Sequence, residues 1–333
     1  PQGVSTLLDL GLGFSQLGAD SFIDTNIAFN LNWDKLELGF LVPLRIRIID
    51  NEPDDDSIFR EEDWDEPAEY LRIIRYVQYG SRFEPYYVRA GELSGVMMGH
   101  GTIVQGYNNI IDVNHYQWGL TGAVNLNFGG LELLMDNVTD PDVMGVRSYI
   151  RPWNFDDAEN IWDNLAFGLT VVSDIGAPDE LVTRTDGTYD LFDENGNLTS
   201  ANTRSTTVLG LDVELQVLTT ELVSLTPYAD INMHIGQGSG FHLGNLANFS
   251  IAEVADINTR LEFRGLGSNY LPAYFDGLYE LERYLYRPVP SLGLDQRFPK
   301  LQWLDQEETD DALEARVGWY GDWTLGLLGM VFL

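Results

Sequence analysis

Charged side chains of both signs share one register of the stretch Leu36–Asp50, and they are the residues best suited to act on a solute. The even-numbered positions from 36 to 48 are all apolar, whereas the odd-numbered ones include Glu37, Arg45 and Arg47. Side chains of a β-strand alternate between its two faces, so the charged residues share one face. Nearly all of the positive charge is arginine, which tolerates partial burial because it pairs with carboxylates in a planar, bidentate geometry. The predicted chemistry is therefore the attraction and pairing of ions in an enclosed interior.

The same alternation recurs along the chain, for example in Phe22–Trp33 and Val223–Ile235. Twelve steps of about 3.3 Å at a tilt of about 40° cover roughly 30 Å, the thickness of a bilayer's hydrocarbon core. The pattern predicts an all-β fold, a transmembrane up-and-down antiparallel β-barrel of about 14 strands (roughly 12–16) with long loops on one side. It forms a single domain over residues 1–333. Pro43 and Pro227 lie inside predicted strands, where bulges are expected to accommodate them.

The end of the chain is predicted to form two strands, Leu313–Trp319 and Thr324–Leu333, joined by a turn at Gly321-Asp322. No strand is assigned between Ile235 and Ile251. With both chain ends on the same side, a count of 14 places Gly265–Asp311 at the end of the barrel with the short turns. A segment of this length is too long for a short turn. Either it contains a further pair of strands that the alternation does not reveal, or a neighbouring strand is wrongly divided.

Composition excludes several classes of function. The chain has 52 Asp+Glu against 19 Lys+Arg, a net charge of −33, so a nucleic acid would be repelled. It has no cysteine, which excludes disulfides, thiolate zinc sites and a thiol nucleophile. No basic, apolar segment opens the sequence, so a leader is expected to have preceded Pro1.

Tryptophans at or near the ends of predicted strands would form interfacial girdles; they are Trp33, Trp118, Trp153, Trp319 and Trp323. The terminal TLGLLGMVFL partly resembles an outer-membrane insertion signal, with a penultimate rather than a final aromatic residue. With these features the sequence resembles the bacterial outer-membrane β-barrel proteins, porins especially. The resemblance covers nearly the whole chain and implies residence in the bacterial outer membrane, in contact with membrane lipid and lipopolysaccharide.

The resemblance also implies that charged residues line the lumen and set its selectivity through a transverse field, with arginines opposite carboxylates. The predicted lining residues are Glu37, Arg45, Arg47, Arg89, Arg147, Arg151, Asp212, Glu214, Asp230, Arg260, Glu262, Glu314 and Arg316. The alternative is a salt-bridge network that fills the interior and plugs or stiffens the barrel. A barrel of this size has room for a lumen, whereas about eight strands are just filled by side chains.

The glycine-rich stretch Gly95–Asn109 could fold into the lumen as a constriction loop, or could be an ordinary external loop. The residues predicted to form the constriction are Gly99, His100, Gly101 and Tyr107. His100-Gly101-Thr102 is similar to the His-x-Ser tripeptide of outer-membrane phospholipases, with threonine for serine. No convincing triad accompanies it, so the protein is predicted not to be an enzyme.

Two acidic runs could hold calcium or magnesium and bridge the protein to lipopolysaccharide, or could simply be solvated. They comprise Asp54, Asp55, Asp56, Glu61, Glu62, Asp63 and Asp65, and Asp305, Glu307, Glu308, Asp310 and Asp311. Neither run has the spacing of a calcium loop, and the histidines lack metal-ligand spacing. No tightly bound cofactor or metal is therefore expected.

Two functions remain open. The first is a passive channel for small polar solutes or ions, biased towards cations by acidic mouths. The second is a structural or assembly barrel with a plugged lumen, which would bind an envelope protein through the long segments Ala177–Arg204 and Gly265–Asp311. A homo-oligomer is possible in either case, because porins are often trimers.

Overall fold

The alternating segments form β-strands in the computed structural model. It describes residues 5–17, 20–51, 57–60, 64, 70, 73–111, 117–154, 160–183, 189–190, 198–251, 254–286, 299–305, 313–327 and 330–332. The strands are β1 (Ser5–Leu17), β2 (Asp20–Trp33), β3 (Leu36–Ile49), β4 (Ile74–Tyr79), β5 (Tyr86–Gly91), β6 (Val104–Gln105), β7 (Gly119–Leu126), β8 (Gly129–Met135), β9 (Val143–Ile150), β10 (Leu165–Glu180), β11 (Val182–Thr183), β12 (Tyr189–Asp190), β13 (Asn202–Leu215), β14 (Leu218–Thr219), β15 (Val223–His234), β16 (Ser239–Ile251), β17 (Ala255–Leu266), β18 (Phe275–Asp276), β19 (Arg316–Leu327) and β20 (Met330–Phe332). The described residues also form two short α-helices, α1 (Tyr279–Leu285) and α2 (Lys300–Leu304), and a 3-10 helix at Ile161–Asn164. In the described ranges, no helix is long and apolar enough to cross a membrane.

One antiparallel sheet contains most of these strands. Its order is β1-β2-β3-β4-β5-β7-β8-β9-β10-β13-β15-β16-β17-β19-β20, with β14 paired to β15 outside this path. Each strand therefore lies beside its nearest long neighbour in the sequence, which confirms the all-β, up-and-down prediction. The path has fifteen strands, close to the predicted number. Among the described residues no pairing joins β1 to β20, so closure of the sheet into a barrel stays a prediction.

The strand predictions near the end of the chain were wrong in two places. Ser239–Ile251, which was assigned no strand, pairs along its whole length with β17. β19 is one strand that runs through Gly321-Asp322, opposite Leu261 and Arg260, so no turn divides it. With these changes, the described parts of the segment between β17 and β19 lie at the long-loop end of the sheet. Of the two explanations for the conflict, wrongly divided neighbouring strands are therefore the one that the described residues show.

Pro43 is accommodated without a bulge, whereas the strand opposite Pro227 changes register by one residue. No register shift occurs at Pro43 or Pro227 in their pairing with Asn26 and Asn245. On the other side, pairing of β3 with β4 ends at Phe40, and the partner of β15 changes from β13 at Tyr228 to β14 at Leu225. Each proline therefore lies just beyond the end of one ladder, where its missing N–H costs no hydrogen bond.

The two faces of the sheet differ as the alternation requires. On β10, Phe167 and Leu169 are exposed, whereas the intervening Ala166 and Thr170 are buried. On β13, Leu211 is exposed beside buried Val208. The apolar face thus points outwards, and the opposite face encloses polar residues and an internal loop.

Apolar packing fills part of the interior at the long-loop end. The cluster comprises Leu93, Met98, Ile103, Val104, Tyr107, Leu134, Val143, Val172, Val208, Tyr274, Phe275, Tyr279, Trp303 and Leu304. Its members come from β8–β10 and β13, from the segment after β5, and from α1, α2 and β18. Lys300, 2% exposed, donates to Asp276 (3.1 Å) and Glu282 (2.9 Å) and thereby ties α2 to α1. These elements form an ordered cap inside this part of the sheet.

Candidate functional site

The segment 93–110 folds against the inner face of the sheet, and we call it the internal loop. Its base is closed by Leu93 N–H donating to Asn109 Oδ1 (2.8 Å) and by an antiparallel bridge between Val96 and Tyr107. Its tip continues as β6, which pairs in parallel with β18. The described residues of this stretch therefore lie on the inner face of the sheet, and their role as a constriction stays a prediction.

His100 holds the tip of the internal loop against β13 and β15. Its Nδ1 lies 2.8 Å from Asp230 Oδ1 and its Nε2 lies 2.8 Å from Glu214 Oε2. The ring stacks on Tyr228, with 4.1 Å between centroids. Burial lowers the pKa of His100, but the hydrogen bonds and charges of Asp230 and Glu214 outweigh it and raise the pKa to about 9. The residue is thus an imidazolium at neutral pH.

This arrangement does not suit a hydrolase. Both ring nitrogens donate to carboxylates, so His100 has no lone pair with which to accept a proton. The Thr102 hydroxyl donates to Asp230 Oδ2 (2.7 Å) instead of to the histidine. In the structure, the phospholipase-like tripeptide therefore anchors the internal loop.

The His100 anchor predicts a pH-dependent stability. Because its folded pKa, about 9, lies above the ordinary value of about 6.5, its contribution is complete below about pH 6.5. That contribution is lost as the pH rises through about 9. We expect the free energy of unfolding, measured by urea titration in lipid vesicles, to fall between pH 6.5 and 10. The His100→Gln variant should be less stable at pH 6.5 and should lack this fall; an unchanged fall would contradict the assignment.

A second set of charges surrounds the other side of the loop tip. Arg147, 3% exposed, makes a bidentate pair with Asp212 (2.7 and 3.2 Å) and a further bond to Glu132 (2.9 Å). Arg82 donates to Glu132 Oε2 (3.0 Å) and to the Gly99 carbonyl (3.0 Å). Gly99 has a φ of +52°, and an added Cβ would lie 2.9 Å from Arg147 Nε. Glycine is therefore required where the loop backbone approaches this pair.

A third network lies on β16, β17 and β19. Arg260 donates to Asp322 (2.7 Å) and to the His100 carbonyl (2.6 Å), so it joins β19 to the internal loop. Glu262 is fully buried and accepts hydrogen bonds from Tyr228, His242 and Arg264. Both networks pair every buried charge with an opposite one or with a hydroxyl.

The remaining predicted lining residues are more dispersed. Glu37 accepts a hydrogen bond from Tyr76, and Arg89 donates to Gln78 (3.1 Å) and the Glu92 carbonyl (2.8 Å). Arg45 lies 3.5 Å from Asp24 and Arg47 lies 2.9 Å from Asp20. Arg151 is 3.7 Å from Glu214. Glu314 and Arg316 are exposed and lie away from the loop tip; their role as selectivity residues stays a prediction.

The charges around the loop tip balance. The cations Arg82, Arg147, Arg151 and protonated His100 face the carboxylates Glu132, Asp212, Glu214 and Asp230. Four positive charges therefore oppose four negative ones. The net charge of −33 is therefore not concentrated at the loop tip.

Two of the cavities that the described residues form beside the internal loop are large enough for a small solute. The larger, about 450 Å³, faces the short-turn end and is lined by charged and amide side chains, including Arg151, Glu214, Asn154 and Gln216. The smaller, about 310 Å³, lies between the loop and β5–β8 and reaches exposed Ser94. The cavities share Arg82, Phe83 and Glu132 as lining residues, so the Arg82–Glu132 pair separates them.

Sequence reasoning missed several residues of these networks: Arg82, Glu132, Tyr228 and Asp322. Glu132 and Tyr228 lie on the inward register of their strands, so the alternation could have identified them. Arg82 lies in a turn, and Asp322 was taken for a turn residue.

No group of three or more histidine, aspartate or glutamate residues in the described part of the chain could hold a metal ion. Of the acidic runs, Asp54, Asp55, Asp56, Glu61, Glu62, Asp63, Asp65, Glu307, Glu308, Asp310 and Asp311 lie outside the described residues, whereas Asp305 pairs with Arg204.

No protein-family model and no curated relative matches the sequence. Among solved structures, the chain is similar to an anion-selective porin from Comamonas acidovorans, with 10% identity, 83% of this chain and 93% of that chain covered, and a TM-score of 0.32. It is also similar to a loop L8 deletion mutant of OmpT, an outer membrane protein of Vibrio cholerae (9% identity, 79% and 82% covered, TM-score 0.32). A third similar structure is Salmonella typhi OmpF in complex with daunomycin, with 10% identity, 82% of this chain and 92% of that chain covered, and a TM-score of 0.31. Similarity at this level does not place the chain in a family.

Proposed function

We propose that the sheet closes into a barrel in the bacterial outer membrane and conducts small polar solutes and ions. An exposed apolar outer face beside a polar inner face is what a closed transmembrane barrel requires, since the bilayer offers no water to unpaired backbone groups. The fourteen strands of the path from β1 to β19 alternate in direction, as in an up-and-down barrel. Membrane lipid and lipopolysaccharide would cover the outer face.

The observation that carries the channel proposal is the internal loop with a cavity on either side of its tip. Such a loop would narrow a lumen while the polar inner face of the sheet still borders the open space beside it. The two cavities share Arg82 and Glu132, so a small movement of the Arg82 side chain would join them into one route. Conductance of the purified protein in a planar bilayer is the direct test: stable unit steps support a channel, and silence from verified, inserted protein contradicts it.

A modest preference for cations would come from the acidic mouths, because the charges at the loop tip are balanced. The Debye length falls from about 10 Å at 0.1 M salt to about 3 Å at 1 M, so a field from the mouths is screened over this range. We expect the reversal potential under a fixed salt ratio to indicate cation preference at 0.1 M and to approach zero at 1 M. Anion preference, or a cation preference that salt does not weaken, would overturn this assignment.

A second candidate is a plugged barrel that binds an envelope protein. The apolar cap favours it, because Tyr274, Phe275 and Tyr279 are almost completely buried under the long-loop end and would hold that segment rigidly for a partner. Stable co-purification with one envelope component, together with the absence of unit conductance, would support this candidate over the channel.

A further inference from the structure

The inner face of β1 carries a carboxylate that no other group compensates. Asp9 lies opposite Ala28 of β2, between Leu8 and Leu10, which are 62% and 63% exposed on the outer face. Because neighbouring side chains of a strand point to opposite faces, Asp9 points inwards. It is exposed and, within the described residues, its side chain makes no hydrogen bond and no ion pair.

Most other charged side chains on the inner face have partners. On the neighbouring strands, Asp24 lies 3.5 Å from Arg45, and the cations of the loop tip oppose an equal number of carboxylates. The interactions of two opposite charges with a distant ion nearly cancel, because the two charges lie at almost the same distance from it. Asp256 and Arg316 also lack a partner in the described structure, but they lie at the starts of β17 and β19 and therefore at the mouths. Asp9 is four residues inside β1.

The internal loop leaves this part of the inner face uncovered. Its hydrogen bonds to the wall include those to Asp230 on β15 and to Asp322 on β19. In the described ranges none of its hydrogen bonds reaches β1, β2 or β3. Asp230, in the covered part, is 3% exposed, whereas Asp9 is open to water. Gly11 and Gly13 follow Asp9 on the same face of β1, so no side chain of this strand shields it from the interior.

We propose that Asp9 is a specificity-determining residue that favours cations over anions on the open side of the lumen. The low-dielectric wall of a narrow passage focuses the field of an uncompensated charge into the water beside it. At 0.1 M salt this field extends over about 10 Å, and carboxylates in such positions select cations in other channels. The inference rests on the channel proposal and adds a local source of selectivity to the field of the acidic mouths.

The test is the reversal potential of single channels under a fixed salt ratio near 0.1 M. Asp9→Asn should lower the permeability ratio of cations to anions by about twofold or more, because it removes the focused charge. Asp9→Lys should make the channel prefer anions. Asp140→Asn is the matched control: it removes the same charge from an exposed position between β8 and β9 at the long-loop mouth, and it should change the ratio less.

A thiol at position 9 allows the same test within one open channel. The chain has no cysteine, so Asp9→Cys provides a single reactive group. A negatively charged methanethiosulfonate reagent should restore the cation preference of this variant, and a positively charged one should reverse it.

Two patterns of failure separate this inference from the channel proposal. A conducting parent whose selectivity is unchanged in Asp9→Asn, or lost equally in Asp9→Asn and Asp140→Asn, would overturn the role of Asp9 and leave the channel standing. Reagents that do not alter the selectivity of conducting Asp9→Cys would do the same. Silence from verified, inserted parent protein would overturn both proposals.

Discussion

Replacing Arg147 with methionine is expected to lower the free energy of unfolding by about 3–5 kcal/mol, the usual cost of removing one partner from a buried ion pair. Arg147 is 3% exposed and is the one cation that contacts both Asp212 and Glu132 in the described networks. Methionine would fill much of the volume while leaving Asp212 without its bidentate partner. The measurement is urea unfolding in lipid vesicles followed by tryptophan fluorescence.

Arg204 provides the matched control because it belongs to an ion pair in water. It lies 3.0 Å from Asp179 and also pairs with Asp305, and the three side chains are partly exposed, at 40%, 27% and 40%. Exposed ion pairs contribute about 0–1 kcal/mol to stability, so the free energy of unfolding of Arg204→Met should be close to that of the parent protein. Adding Asp212→Asn and Glu132→Gln to Arg147→Met removes the two uncompensated charges. This triple variant should therefore recover part of the lost free energy of unfolding. If the two arginine variants were equally stable, the Arg147 network would not support the fold.

The strands were predictable because their signal is local. The period of two in Leu36–Ile49 depends only on neighbouring residues and on the need to separate an apolar from a polar face. The same reasoning failed for β16, where Asn245 on the outer face and Leu246 on the inner face interrupt the alternation. It also failed at Gly321-Asp322, a pair typical of turns, because Asp322 is held in the strand by Arg260, 62 positions away in the sequence.

The internal site was only partly predictable, because its contacts join distant parts of the chain. The sequence placed His100, Asp230 and Glu214 on polar surfaces, yet nothing local indicates that one imidazole bridges two carboxylates more than 110 positions away. Two glycines of the internal loop mark the points where its backbone comes close to buried arginines. Gly99 and Gly101 have φ values of +52° and +79°, and added Cβ atoms would lie within 3 Å of Arg147 and Arg260.

Shortening the internal loop is expected to raise the unit conductance several-fold and to strengthen the preference for cations. Val96 and Tyr107 already face each other as an antiparallel bridge, with reciprocal N–H to carbonyl bonds of 2.9 Å. Replacing residues 97–106 with Asn-Gly would join them by a two-residue hairpin turn. The variant would remove the obstruction together with the His100 cation, leaving Asp230 and Glu214 to attract cations.

Single-channel recording at fixed salt measures both effects, and neutral polymers of graded size report the widened lumen. Ser94→Ala, at the exposed base of the same loop, is the control and should conduct as the parent does. His100→Ala/Thr102→Ala keeps the backbone of the loop and removes its anchors to Asp230, so it should show a smaller change in the same direction. A folded, inserted hairpin variant with the conductance and polymer cut-off of the parent would mean that solutes pass elsewhere. The charges at the loop tip would then serve stability and not selectivity.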